Sequence, residues 1–192
     1  NGRKLNRLFL LKMKKEIFRE IEIPNGVEVE IEGHMLKVKG PEGENQRSFN
    51  INGVSFTKKD NTIVLGNKKA TKKEKKLINS SAAHIKNMIK GVQQKFEYQL
   101  KVCFSHFPIS VELKGKDVLI KNFLGERIPR KTTIPSGVEV EIDKDIVNVT
   151  STDKELAGQV AANFETATRI RKRDRRIFQD GIFMIKKAGR EI

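Results

Sequence analysis

Two groupings in this chain have residue types suited to catalysis. Cys103, Ser105 and His106 set two nucleophiles close to a base, and nucleophilic chemistry needs that base in hydrogen-bond reach with an acid to orient it. The run around them has the alternation of a strand, whose successive side chains point to opposite faces. Cys103 and Ser105 therefore share a face that His106 does not join, and His106 is expected to pack at a strand end or meet a partner. Glu28, Glu30 and Glu32 place three carboxylates on one strand face at steps of roughly 6.6 Å, near the separation used in paired-carboxylate hydrolysis. The apolar residues between them already explain the pattern, and Glu139, Glu141 and Asp143 repeat it, so both sets read as solvated strand faces. Gly40-Pro41-Glu42-Gly43 lacks the Gly-Lys-Ser/Thr ending of a phosphate loop and reads as a turn. Cys103 is the single cysteine, and CxxC and His-x-x-x-His spacings are absent, which leaves no ligand set for a structural metal. No catalytic residue, metal or cofactor is expected.

A third grouping has the chemistry of binding. Residues 169–176 contain six bases, Arg169, Arg171, Lys172, Arg173, Arg175 and Arg176, with Asp174 as the only acid among them. Internal pairing cannot absorb that many cations, so they face water or a polyanion, and RNA is the partner that we read from them. Ile177, Phe178, Ile182 and Phe183 follow at once, whereas disordered charge runs are poor in large apolar residues. That gives the segment an anchored end. Asp180-Gly181 suits a tight turn or a glycine bend in a strand, and Lys186 and Lys187 extend the charge beyond it. The competing account is a solvated tail.

The whole chain carries a net charge of +15 over 192 residues, which favours a polyanionic partner. The excess is uneven. Residues 103–168 hold 8 bases and 10 acids, while residues 169–192 hold 9 and 3, so one oriented surface is expected. A second basic cluster, Lys68, Lys69, Lys72, Lys73, Lys75 and Lys76, crowds a helix start, where cations oppose the dipole. An RNA backbone would compensate it, and a solvated loop would equally explain it. Gln159 and Asn163 lie one helical turn apart beside Gly158, Ala161 and Ala162, an arrangement that fits either contact with a groove of structured RNA or ordinary helix packing. Aromatic residues are few and sit at strand spacing, so stacking on single-stranded nucleic acid is disfavoured relative to folded RNA. No apolar run approaches the ~18 residues of a membrane helix, Leu8 to Leu11 is short for a signal peptide, and the chain reads as cytosolic.

These residues need elements to hold them. Pro24-Asn25-Gly26 is a turn signal, after which Val27, Val29 and Ile31 alternate with glutamates as a half-buried strand. Leu36 and Val38 continue as a hairpin partner, and further strands are expected at 47–51, 54–57 and 62–65. The period then changes. Thr71 with Glu74 forms a capping box, and Leu77, Ile78, Ala82, Ile85, Met88, Ile89 and Val92 recur at helical steps. A long strand is expected from Phe96 to Phe107.

The same order returns afterwards. Residues 109–115 repeat 27–33 at an offset of 82, 121–126 repeat 39–44, Gly137-Val138 matches Gly53-Val54, Thr152 to Glu155 matches the first capping box, and Leu156, Ala161 and Ala162 match Leu77, Ala82 and Ala83 at 79. Landmarks in one order with nearly constant offsets indicate an internal duplication. A rival match of 23–31 with 134–142 would displace the helix, and is read as two hairpin strands built on one recipe. The expected fold is α+β, two duplicated units, each a small antiparallel sheet with one helix on one face. Residues 1–12 are an extension of unknown status ahead of a Met-Lys-Lys, the first unit is placed at 13–106 and the second at 107–192, with the boundary near Phe107-Pro108.

Val38-Lys39-Gly40-Pro41-x-Gly43, residues 84–92 (HIKNMIKGV), Ser105-His106-Phe107-Pro108 and Asn122-Phe123-Leu124-Gly125-Glu126 resemble motifs of the large ribosomal subunit protein six family. Arg173-x-x-Arg176-x-Phe178-x-Asp180-Gly181-Ile182 resembles the C-terminal signature of its archaeal and eukaryotic branch, with departures at Phe183, usually Tyr, and Thr166, usually Gln. The resemblance covers about residues 21–187. It implies a non-enzymatic ribosomal protein of the cytoplasm that binds large-subunit ribosomal RNA mainly through its C-terminal unit. It further implies a contact near the sarcin-ricin hairpin at the base of the translation-factor site, with neighbouring ribosomal proteins, translation factors nearby, and neither membrane nor small-molecule substrate. On the same ground Arg171, Lys172, Arg173, Arg175, Arg176 and Lys186 would touch phosphates, and Asp180 and Gly181 would form the turn that holds them. An RNA-processing or RNA-modifying enzyme, or a free RNA-binding regulator, are the alternatives.

Overall fold

The computed structural model describes residues 15–49, 54–59, 61–174 and 176–192. The extension at 1–12, the end of the strand expected at 47–51, Gly53 and Arg175 lie outside the described residues. The chain divides into two compact units, Asn1–Gln93 and Gln94–Ile192.

The first unit holds β1 (Lys15–Glu22), β2 (Glu28–Glu32), β3 (Met35–Gly40), β4 (Gly43–Ser48), β5 (Ser55–Lys59), β6 (Thr62–Ala70) and helix α1 (Lys72–Gln93). Antiparallel pairing gives two three-stranded sheets, ordered β1-β6-β5 and β2-β3-β4. Val29 opposes Val38 and Ile31 opposes Leu36, so alternation in sequence becomes one apolar face. On the other face Glu30 and Glu32 meet Lys39 and Lys37 at 3.8 and 3.3 Å. Those carboxylates are thus the solvated cross-strand partners expected of them. Helix α1 buries Ile78, Ala82, Ile85, Met88, Ile89 and Val92 against β1, β3 and β6. Its capping box forms as the sequence suggested: the Thr71 N–H donates to Glu74 Oε2 at 2.8 Å, the Thr71 hydroxyl donates to the same oxygen, and the Lys73 N–H donates to Thr71 Oγ1 at 3.3 Å. The turn between β3 and β4 packs on the helix end, where a Cβ on Gly40 would stand 2.7 Å from the Val92 carbonyl oxygen.

The second unit holds β7 (Phe96–Cys103), β8 (Ser110–Lys114), β9 (Asp117–Lys121), a 3-10 turn (Phe123–Gly125), β10 (Arg130–Thr133), β11 (Val138–Asp143), β12 (Ile146–Ser151), helix α2 (Lys154–Ala167), β13 (Gly181–Lys187) and β14 (Arg190–Glu191). Its sheets are ordered β10-β9-β8 and β11-β12-β7-β13-β14. The first repeats β2-β3-β4, and β7-β12-β11 repeats β1-β6-β5. The duplication is therefore a duplication of topology, to which the second unit adds β13 and β14 on the free side of β7. Each helix lies across two sheets, where a single sheet was expected, because the pairing of distant strands leaves no mark in local periodicity.

The boundary expected near Phe107-Pro108 moves for the same reason. β7 is hydrogen-bonded to β12 on one side and β13 on the other, and Phe96, Tyr98, Leu100 and Val102 belong to the second core. It opens the second unit as the counterpart of β1 and does not close the first. The second capping box also shifts. Asp153 is the N-cap of α2 and accepts from the Glu155 N–H at 2.8 Å, in place of Thr152. Asp and Thr compete on nearly equal terms for that position, and the helix starts one residue later than the box required.

The buried positions of α2, Ala157, Val160, Ala161 and Phe164, fall at an offset of 79 on Ile78, Ser81, Ala82 and Ile85, which are buried in α1. That phase sets Lys154 opposite Lys75. Helix α1 thus carries an additional N-terminal turn, and Lys72 and Lys73 stand on it.

Candidate RNA interface

The basic segment leaves the C-terminal end of α2 and runs into β13, and side chains bind it at both ends. At the helix end Thr168, 3% exposed, donates its hydroxyl to the Phe164 carbonyl at 3.2 Å and accepts the Ile182 N–H at 3.0 Å. One hydroxyl therefore joins the last turn of α2 to the first residues of β13. Arg130 on β10 closes the helix from outside. Its Nη1 donates to the Ala167 carbonyl at 2.7 Å, its Nε and Nη2 grip Glu126 at 2.8 and 2.6 Å, and its guanidinium lies 4.2 Å over the Phe123 ring. A cation on orphan helix carbonyls suits the dipole, and the Glu126 carboxyl is held below its ordinary range by Arg130. Sequence reasoning missed Arg130, although its i,i+4 spacing from Glu126 was a usable signal.

The far end is anchored by Asp180, 1% exposed. Its Oδ1 accepts the N–H groups of Ser105 and His106 at 2.6 and 3.1 Å, and its Oδ2 lies 2.6 Å from His106 Nδ1. Burial pushes its pKa up, and these donors with the His106 ring push it down further, to about 2. The expected turn at Asp180-Gly181 is thus a latch to a strand end 75 residues away, and Gly181 opens β13 opposite Cys103. Gly181 has φ +156°, and a Cβ there would stand 3.1 Å from the Phe183 ring.

The latch brings Ser105, His106 and Asp180 together, a triad by composition. Its geometry is not that of one. Ser105 Oγ at 3.0 Å and Asp180 Oδ2 both address Nδ1 of His106, whereas a triad sets the acid on one ring nitrogen and the hydroxyl on the other. A carboxylate can only accept, so Nδ1 carries the proton and cannot take the serine's. His106 instead stacks on Phe178 with centroids 4.8 Å apart, and the Arg173 guanidinium lies 4.8 Å over the same ring.

Between its two anchors Arg169, Arg171, Lys172, Arg173 and Arg176 are all exposed. Asp174 accepts from the Arg176 backbone at 2.9 Å and from its guanidinium at 3.1 to 3.2 Å, so the lone acid shapes the loop and draws on one arginine. Lys186 is half-buried and Lys187 exposed on β13, where they pair with Glu191 and Arg190 of β14. Gln159 donates to Asn163 at 2.9 Å. Packing accounts for their small neighbours: Ala161 is buried, and a Cβ on Gly158 would approach the Tyr98 hydroxyl at 3.2 Å. In the first unit Lys68, Lys69, Lys72, Lys73, Lys75 and Lys76 are all exposed. Among the described residues no cluster of three or more His, Cys, Asp or Glu could hold a metal ion, and no helix is long and apolar enough to cross a membrane.

Comparison with known proteins is consistent with this architecture. The family described as Ribosomal protein L6 matches residues 23–95 and 107–181, two stretches in line with the duplication. The chain is 45% identical over 175 residues to the large ribosomal subunit protein uL6 of Methanothrix thermoacetophila, covering 91% of this chain and 99% of that protein. It is 46% identical to uL6 of Methanobrevibacter smithii, over 89% of this chain and 96% of the relative, and 41% identical to uL6 of Archaeoglobus fulgidus, over 94% and 95%. Matched along both repeats and along most of its length, the chain belongs to the Ribosomal protein L6 family.

Proposed function

We propose that the chain is a structural, non-enzymatic component of the large ribosomal subunit, held in the cytoplasmic ribosome by large-subunit ribosomal RNA and by neighbouring ribosomal proteins. The RNA-docking surface is the segment of Arg169, Arg171, Lys172, Arg173, Arg175 and Arg176, with Lys186, Lys187, Gln159 and Asn163 beside it. It meets RNA near the sarcin-ricin hairpin, with translation factors close by. One observation carries this reading: the densest charge in the chain is fastened at both ends, by Thr168 to α2 and by Asp180 to the end of β7. Anchoring lowers the entropy lost when such side chains settle on phosphates. A solvated tail has no use for a buried carboxylate latch. Lys68, Lys69, Lys72, Lys73, Lys75 and Lys76 form a second contact, since α1 has an added turn rich in lysine and its one acid, Glu74, is committed to the cap.

The test is salt-dependent binding of the full chain to a folded large-subunit RNA fragment carrying the sarcin-ricin hairpin, in excess tRNA. A variant with Arg169, Arg171, Lys172 and Arg173 changed to Ala is run beside it. Each neutralised phosphate contributes about 0.9 to the slope of log affinity against log salt, so the variant should flatten it by roughly 3 to 4. Full competition by tRNA, or an unchanged slope, would remove the proposed surface.

A further inference from the structure

Two cavities meet at the C-terminal end of α2. The larger, about 770 Å³, is a groove between that end and the start of β13, with Cys103, Ile170, Phe178 and Phe183 among its lining. The smaller, about 380 Å³, is walled by Arg130, Lys131, Thr166, Ala167, Arg169 and Arg171. Thr166 and Arg169 line both, so the cavities adjoin across those two residues.

They differ in chemistry. Among the described residues the smaller has four cations and no acid in its wall, and Arg130 is already spent on Glu126 and the Ala167 carbonyl. The side chains of Lys131, Arg169 and Arg171 have no hydrogen-bond or ion-pair partner among the described residues, and all three residues are exposed. Three convergent cations beside a hydroxyl suit a phosphate. The groove offers an aromatic surface instead. Phe183 remains 47% exposed, and its ring rests over Gly181, where a Cβ would press on it at 3.1 Å. A large apolar ring left half open at the mouth of a groove is a stacking platform without a partner.

We propose that the two cavities together hold one everted nucleotide of a folded RNA, its phosphate among Lys131, Arg169 and Arg171 and its base against Phe183. The inference rests on the RNA-binding reading and deepens it. A nucleotide joins an anion to a flat aromatic group through one sugar, and that order of parts matches a cationic cleft and an aromatic groove separated by Thr166 and Arg169. An apolar protein side chain would fill the groove and leave the cations uncovered. Eversion is least costly for a base that is already unpaired, so the site selects a bulge or loop over a continuous duplex.

The experiment measures binding of the full chain to three RNA hairpins at low salt: fully paired, with a single bulged adenosine, and with an abasic residue at the bulge. The parent protein should prefer the adenosine bulge to the abasic one by several-fold to about a hundredfold, the range of base–aromatic stacking. Phe183→Ala should erase that preference while leaving affinity for the paired hairpin unchanged, which also shows that the variant is folded, and Phe183→Tyr should keep it. Lys131→Ala should lower the salt slope on the bulged hairpin by about one. Equal affinity of the parent for adenosine and abasic bulges, or a preference that survives Phe183→Ala, overturns the nucleotide site and leaves the basic surface standing. Failure of the parent to bind any of the three overturns the RNA reading, and this inference with it.

Discussion

A carboxylate that is 1% exposed stays ionised only where donors replace the water it has lost. Asp180 has two backbone N–H groups and the His106 ring for that purpose, and its pKa is set at about 2 against an ordinary 3.8. Because the folded value is the lower one, the ionised group contributes stability that is complete above the unfolded pKa. It is lost as pH falls through the folded value, so the window runs from about pH 5 down to pH 2. A shift of this size corresponds to about 2 kcal/mol. Urea unfolding across that window should show the parent losing about 2 kcal/mol more than Asp180→Asn, which has no carboxylate to protonate. Parallel acid limbs would mean that Asp180 fills space without anchoring the basic segment by charge. The sequence marked Asp180 as a turn residue, since Asp-Gly is a local signal. Its partners Ser105 and His106 lie 75 and 74 positions away, and no local pattern reaches so far.

At the scale of elements, periodicity revealed what each segment is and left open where it goes. The faces of β2 and β3, the burial stripe of α1 and its cap at Thr71 were all legible, because each depends on neighbours within a few positions. The place of β7 was not, since its alternation of Phe96, Tyr98, Leu100 and Val102 suits either unit equally. The cap of α2 shows the same limit at its smallest. Thr152 and Asp153 are adjacent and both able to cap, and the structure gives the role to Asp153, whose Oδ1 takes the Glu155 N–H. Asp153→Ala should therefore cost about 1 kcal/mol in thermal or urea unfolding, and Thr71→Ala a similar amount in α1. Thr152→Ala should stay within about 0.5 kcal/mol of the parent. A larger loss at Thr152 than at Asp153 would return the cap to the position that the capping box suggested.

The whole molecule is two copies of one plan with separate cores, and the second copy alone received β13. That addition turned the edge strand of the plan into an interior one: among the described residues β1 has β6 on one side only, while β7 lies between β12 and β13. The basic segment is the connection from α2 to β13, so the proposed docking surface exists because β7 accepted another partner. It follows that β7 cannot be removed from the second unit. Residues 94–192 expressed alone should unfold cooperatively in urea, since they keep both sheets, α2 and the Asp180 latch. Residues 107–192 should not, because β12 and β13 would each lose their ladder to β7, the core would lose Phe96, Tyr98, Leu100 and Val102, and Asp180 would face no donors. The complementary pieces should differ in the opposite sense. Residues 1–93 end with the helix that completes their core, whereas residues 1–106 would carry β7 as an unpaired apolar strand, a template for aggregation. Cooperative unfolding of 107–192, or equal solubility of 1–93 and 1–106, would place the strand in the first unit. The origin of the docking surface would then have to be sought in α2 alone.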